Sequence, residues 1–417
     1  MKKIVPNINS EYGKLSTVIL HEPGLEIDRL TPDNKDGLLF EDVPFLKKMK
    51  EEHRAFAKLL RDNGIEVLLL GDLLSELISI SENSRNRIVF QTCANQPSLS
   101  NILFDNFDNF QITELLFKGL TVRELRDISG IDFSSINSDV DRFLLNPIPN
   151  AYFTRDPAAI VKDSIVSCKM HFDARVRETI IFREIFKHHP LFSNKSMNDG
   201  LEENESYIIY GGENKQDEDR PYAIEGGDII VLNEKSIAIG CSQRTRSDSI
   251  VKLASNLFKE GKIQRVYQIN IPAERAYMHL DTVFTVVDKG IVVAYPNVMN
   301  DVREIIRYEP ISLHGNIVAM PIEENRNFNT ILKSEFGGVL EVINTGNNNS
   351  MYASREQLAD GTNVFAISPS TVITYDRNIH TNEALEKCGV KVLCIEGSEL
   401  VRGLGGPRCM TMPIVRE

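Results

Sequence analysis

Cys409 is the residue in this chain best equipped for covalent chemistry. It follows the loop Arg402-Gly-Leu-Gly-Gly-Pro-Arg408. Glycine permits positive φ and close backbone approach, so this stretch predicts a tight turn that presents a thiol. The neighbouring Arg408 is of the type that favours thiolate. The other cysteines (Cys93, Cys168, Cys241, Cys388 and Cys394) stand in apolar or helical runs and are expected to pack as small hydrophobes.

Three acidic motifs lie upstream. Phe153-Thr-Arg-Asp156-Pro places a carboxylate at a strand entrance, where a plain turn Asp is an equal reading. Glu225-Gly-Gly-Asp228 sets two acids around two flexible residues before an apolar strand. His279-Leu-Asp281 puts an imidazole and a carboxylate two positions apart, hence on one face of a strand. That pair also fits half a metal site, but no third ligand stands out and no metal is expected. Acids in this number suit a cationic substrate. Two carboxylates can hold a planar guanidinium through paired hydrogen bonds, leaving its carbon open to a thiolate. His279 would then protonate departing ammonia and later activate water. Arg175 and Arg244 are of the type that grips a carboxylate, though a solvated surface charge is the commoner fate of a single arginine. The crowd of acids predicts that Cys409 stays protonated until a cation arrives.

These residues need elements to bring them together. After Pro149 a pattern repeats: apolar run, polar turn, apolar run. It occupies residues 156–166, 228–239, 281–293 and 363–374. Helical spacing follows at Arg175–Phe186, Ser247–Lys259 and Thr381–Lys387, then strands at Arg265–Ile269 and Lys391–Ile395. Residues 15–70 read as a fifth, degraded copy: strand 15–21, an entrance segment Leu38–Leu46, helix 46–63, strand 65–70. Five strand-strand-helix-strand units can close around an axis, with Asp156, Asp228 and Asp281 at one face. Residues 72–147 read as an inserted helical domain between a first unit, 1–71, and the remaining units, 148–417. The apolar Met-Thr-Met-Pro-Ile-Val tail predicts a terminal strand.

Totals exclude several classes. The chain has 417 residues, net charge −12 and 42% hydrophobic residues. An acidic chain without a basic patch is a poor partner for nucleic acid or membrane surfaces. No apolar run approaches the roughly 18 residues of a membrane span. The first residues lack the apolar region of a signal peptide. Sparse cysteines point to a reduced, cytoplasmic setting.

Seven motifs then identify a resemblance. They are Glu11-Tyr-Gly-Lys-Leu15, Leu38-Leu-Phe-Glu-Asp42, Phe153-Thr-Arg-Asp156, Ala174-Arg-Val-Arg-Glu-Thr179, Glu225-Gly-Gly-Asp228, Met278-His-Leu-Asp-Thr-Val-Phe284 and Gly405-Gly-Pro-Arg-Cys-Met410. In order and spacing the chain resembles bacterial arginine deiminases over nearly its whole length. The resemblance implies an α/β pentein fold: a five-bladed pseudo-symmetric propeller of ββαβ units with an inserted helical bundle. It implies hydrolysis of L-arginine to L-citrulline and ammonia through an amidino-cysteine, without cofactor, in a homo-oligomer. It implies Cys409 as nucleophile, His279 as general acid and base, Glu225 as its partner, and Asp156 and Asp281 as the guanidinium clamp. Substrate contacts are implied for Arg175, Arg244, Asn150, Asp228 and Phe153. One position departs: the family reads Arg-Gly-Arg-Gly-Gly, and here the second arginine is Leu404. That arginine belongs to the loop that closes over substrate, so a raised KM or altered carboxyl-end specificity is expected. Other readings are an amidinotransferase or methylarginine hydrolase of the same fold, or a non-catalytic arginine binder.

Overall fold

The computed structural model describes residues 3–130, 140–192, 208–210, 223–302 and 304–417. Strand β1 (Leu15–Leu20), helix α1 (Leu46–Asp62) and strand β2 (Glu66–Leu69) open the chain. Five helices follow: α2 (Leu70–Ile80), α3 (Glu82–Thr92), α4 (Pro97–Asn106), α5 (Asn109–Lys118) and α6 (Val122–Ser129). Their ends are chemically marked. Asp108 with Gln111, and Thr121 with Glu124, form capping boxes on α5 and α6. Gly130, in the left-handed region, stops α6.

Next come β3 (Ala158–Val161), β4 (Ser164–Ser167), α7 (Val176–His188) and β5 (Ile208–Tyr210), then β6 (Ile229–Asn233), β7 (Ser236–Cys241), α8 (Ser247–Lys259) and β8 (Arg265–Asn270). Strands β9 (Phe284–Asp288) and β10 (Ile291–Ala294) precede the long hairpin β11 (Ile305–Leu313) and β12 (Asn316–Glu323), helix α9 (Phe328–Glu335) and β13 (Glu341–Asn344). The last unit holds β14 (Phe365–Ser368), β15 (Thr371–Tyr375), α10 (Ile379–Lys387) and β16 (Lys391–Ile395). Strand β17 (Met412–Arg416) ends the chain.

One pairing rule recurs. In β3-β4-β5, β6-β7-β8, β9-β10-β13 and β14-β15-β16 the first strand is antiparallel to the second, and the second parallel to the third. The fifth set is β17-β1-β2, with the same two relations. The amino-terminal copy therefore takes its first strand from the far end of the chain. The hairpin β11-β12 extends the second sheet by pairing β11 with β8, an addition that the sequence reading left unassigned.

Burial explains the runs. Ile229, Ile230, Val231 and Leu232 are all buried, the mark of a strand covered on both faces. Helix α8 buries Ile250, Leu253, Ala254, Leu257 and Phe258, one stripe at helical spacing. The terminal strand matters most for the site. Val18 pairs with Pro413 and Ile19 with Met412, so the turn carrying Cys409 is held three residues from a buried ladder. Among the described residues no helix is long and apolar enough to cross a membrane.

Candidate active site

Cys409 lies 4% exposed in the turn that feeds β17. Its backbone N–H donates to Asn363 Oδ1 at 2.9 Å, and its carbonyl accepts from the Arg155 N–H at 3.1 Å. The second contact ties the thiol's turn to the turn bearing Asp156. Cys409 Sγ stands 3.6 Å from Asp281 Oδ2. Burial pushes the thiol well above its ordinary pKa, and Asp281, Asp156 and Asp360 add to the shift. The expected protonated thiol follows from that geometry. Arg408 does not face the sulfur: its Nη1 donates to Asp281 Oδ2 at 2.7 Å, and its Nε and Nη2 donate to Glu11.

His279 sits between two acids. Its Nε2 is 2.8 Å from Glu225 Oε2, and its Nδ1 is 3.7 Å from Asp156 Oδ1. Burial alone would depress the imidazole, but Asp156, Glu225 and Asp228 outweigh it and raise the pKa to about 9. Glu225 moves the other way. Burial would raise it, yet the His279 hydrogen bond and the nearby Arg244 and Arg175 hold it at about 2. A charged pair is thus stable in a buried place. Gly227 makes room for it, since a Cβ there would lie 2.7 Å from His279 Nδ1 and 2.9 Å from Asp156 Oδ1.

Asp156 and Asp281 share a feature. Each has one oxygen tied to an arginine, Arg175 at 2.6 Å and Arg408 at 2.7 Å. The other oxygen of each, Oδ1, is buried and has no hydrogen-bond partner. A buried carboxylate oxygen without a donor is costly, so both are poised for a donor from outside the protein.

The remaining candidates divide. Arg244 is buried with an Nη1 that makes no hydrogen bond, its guanidinium 4.6 Å over the Phe172 ring. Arg175 is spent on Asp156, Glu178 and two backbone carbonyls. Asn150 donates to the Leu38 carbonyl at 2.7 Å. Asp228 is beside His279, but Leu280 N–H and Ser242 Oγ each occupy one of its oxygens at 2.7 Å. It ties down the turn that carries His279. Phe153 packs tilted against Tyr152, ring centroids 3.9 Å apart, and backs Gly405, whose Cβ would strike its ring. Leu404 is half-buried at φ +59°, in the left-handed region.

The entrance segment is tied to the root of this loop and to the segment before His279. Asp42 pairs with Arg402, Glu41 pairs with Arg275, and the Phe45 N–H donates to Glu399 at 2.8 Å. Glu52 on α1 accepts from the backbone N–H groups of Ser398, Glu399 and Leu400, anchoring the loop's root. Sequence reasoning missed Glu11, Glu178, Asp360 and Asn363. Asn363 bridges the site: Oδ1 takes Cys409 N–H, and Nδ2 donates to the Asp281 carbonyl at 3.1 Å.

Among the described residues one group of side chains has metal-ligand spacing: Asp156, Glu225 and His279. Arg175 and Arg244 approach Glu225 Oε2 to 3.9 and 3.6 Å, so positive charge already answers those acids. The set fits proton transfer and cation binding better than a dication.

A family model described as arginine deiminase matches residues 36–416. The arginine deiminase of Clostridium perfringens is 38% identical over 422 residues, spanning 99% of this chain and 98% of its own. That of Listeria monocytogenes serovar 1/2a is 37% identical over 418 residues, with 99% and 98% covered. Among solved structures, SxtG, an amidinotransferase from Microseira wollei, superposes with a TM-score of 0.54 at 14% identity, covering 99% of this chain and 97% of that one. DDAH from Pseudomonas aeruginosa with citrulline gives 0.51 at 15% identity, covering 96% and 99%. AgrE gives 0.54 at 14% identity, this chain spanning 97% of its own length and 40% of AgrE. These structures share the α/β pentein fold with this chain. The sequence matches carry further: the chain belongs to the arginine deiminase family.

Proposed function

We propose that the family's reaction, hydrolysis of L-arginine to L-citrulline and ammonia, runs here through a covalent amidino-cysteine on Cys409. The observation that carries this reading is the pair of buried, unpartnered oxygens on Asp156 and Asp281, beside one buried thiol. A guanidinium offers N–H groups along its edges and satisfies both. Its charge offsets the acids that keep the thiol protonated. The thiol proton leaves by Asp281 Oδ2, the contact it already makes. Sulfur then adds to the guanidinium carbon. His279 gives its proton to the departing amine, and ammonia leaves. The neutral imidazole takes a proton from water, hydroxide adds to the amidino carbon, and sulfur departs as that hydroxyl proton returns to it. Citrulline and the free thiol result. Arg244, whose Nη1 makes no hydrogen bond and lies 3.6 Å from Glu225 Oε2, suits the substrate's carboxylate.

Acid quenching during turnover tests this. The peptide holding Cys409 is expected to gain arginine less ammonia. A gain of the amidino group alone, with ornithine released, would instead identify an amidinotransferase. No adduct on Cys409 would remove the covalent reading.

Leu404 supplies a second expectation. A leucine cannot pair with the substrate's carboxyl end, so Leu404→Arg is expected to lower KM for L-arginine about fivefold, the worth of roughly 1 kcal/mol from a partly exposed charge pair. Unchanged steady-state KM would show that the loop position does not read the carboxylate.

The five matching strand sets support a ring closed around an axis, with residues 72–147 as its inserted domain. The described cysteines are all free, in keeping with a reducing cytoplasm. Ile311, Leu313, Ile317 and Met320 expose an apolar surface on the β11-β12 hairpin, in keeping with a homo-oligomer. An experimental structure of the full chain checks closure, boundaries and assembly together.

A further inference from the structure

Each acid with a free oxygen is held from behind by an arginine, and each arginine by a glutamate. Arg175 gives Nη1 to Asp156, then Nε and Nη2 to Glu178 at 3.1 and 2.7 Å. Arg408 gives Nη1 to Asp281, then Nε and Nη2 to Glu11 at 3.2 and 3.1 Å. The same edge of each guanidinium faces the glutamate, and the same nitrogen faces the aspartate. The chain separations are unlike: Glu178 is three residues from Arg175, whereas Glu11 is 397 from Arg408. Local chain geometry cannot produce both, so the match reflects a shared task.

That task is visible in the charges. An arginine alone beside a clamp acid would neutralise it and compete with an incoming cation. A glutamate on the arginine's far edge fixes the guanidinium's direction, and an ionised one, as Glu11 is, returns the set to a net negative charge, whereas burial raises Glu178 to about 7. One aspartate oxygen is then oriented while the other stays open. We propose that Glu11, acting through Arg408, is a positioning residue for Asp281, in the role that Glu178 fills for Asp156. The proposal rests on reading Asp281 as a clamp for the substrate's guanidinium. Glu11 is suited to it. Burial would raise its pKa, but Arg408 and Arg155 outweigh burial and hold it at about 2, so it is charged at any working pH. Its backbone N–H donates to the Val231 carbonyl at 3.0 Å and its Oε1 accepts from Val231 N–H at 3.2 Å, which locks it to β6.

The test uses the full chain with Glu11→Gln and Glu11→Asp. Two quantities are read: KM for L-arginine, and the pH midpoint of the Cys409 thiolate absorbance without substrate, with Cys409→Ser as the blank. The acids acting on the sulfur are Asp281, Asp156 and Asp360, the last pushed toward its neutral form by burial, with Arg408 at present balanced by Glu11. Removing the Glu11 charge leaves Arg408 unbalanced. In Glu11→Gln the midpoint therefore falls, and KM rises about tenfold, the scale of one charge-assisted contact. A merely structural role would lower the melting temperature and move neither. Folded Glu11→Gln with KM and midpoint unchanged overturns the proposal. Should Glu11→Gln not fold, Glu11→Asp decides: charge is kept and reach is lost, so the midpoint holds while KM rises, and an unchanged KM overturns it. The midpoint is read without substrate, so its failure is separate from that of the reaction assignment, which is decided by the Cys409 adduct and by whether Cys409→Ser remains active.

Discussion

Cys409→Ser is expected to cut citrulline formation by on the order of a millionfold, the scale seen when a nucleophile that acts as a unit with its partners is removed. The size follows from what surrounds the sulfur. A thiol can reach its anion here because a bound cation offsets Asp281 and Asp156; a hydroxyl is far weaker as an acid and gains no more help. The sulfur's hydrogen-bond acceptor is Asp281 Oδ2, 3.6 Å from Sγ, an acid already engaged by Arg408 and ill placed to deprotonate an alcohol. The serine variant should still bind L-arginine, because both free carboxylate oxygens remain. Equilibrium binding beside a citrulline assay separates the two properties. Residual turnover within a hundredfold of the parent would show that another group attacks the carbon.

How much of this was legible in the sequence depends on the reach of each signal. Helix α8 has the limits that its spacing predicts, Ser247 to Lys259, because one helix face carries the pattern. The four downstream hairpins were readable because two apolar runs around a polar turn are a local signature. The fifth set looked degraded for a topological reason: its first strand is β17, nearly 400 positions away. The β11-β12 hairpin was not assigned, because its strands are mostly exposed and nothing local says that they join the preceding sheet. The family resemblance is borne out by the comparisons. In the site, Asp156, Glu225, His279, Asp281 and Cys409 stood out by motif. Their supports did not. Glu11 carries no local mark of its contact with Arg408, and Asn363 reads as the start of a strand. Arg408 looked like a partner for the thiol because sequence adjacency suggested contact, whereas its side chain turns to Asp281 and Glu11.

Asp156→Asn is expected to lower kcat/KM for L-arginine by roughly 10²–10⁴, the worth of about 3–5 kcal/mol when one partner of a buried charge pair is lost. Three consequences add in the same direction. The open Oδ1 loses its charge toward the substrate. Arg175 keeps Glu178 but loses its 2.6 Å contact with a carboxylate, so its Nη1 is left without that charged partner. His279 loses one of the acids that raise its pKa. The sign of the pH effect follows. In the parent the imidazole stays protonated up to about pH 9, so the step that needs a proton donor is lost only above that value. Without Asp156 the folded-state pKa falls, and the descending limb of the kcat/KM profile moves to lower pH. A thermal melt checks that the fold survives, since a helix-bearing unit held by Arg175 is the part most exposed to damage. If the variant loses less than tenfold and its descending limb stays in place, Asp156 neither holds the cation nor charges the imidazole, and the clamp must be sought elsewhere.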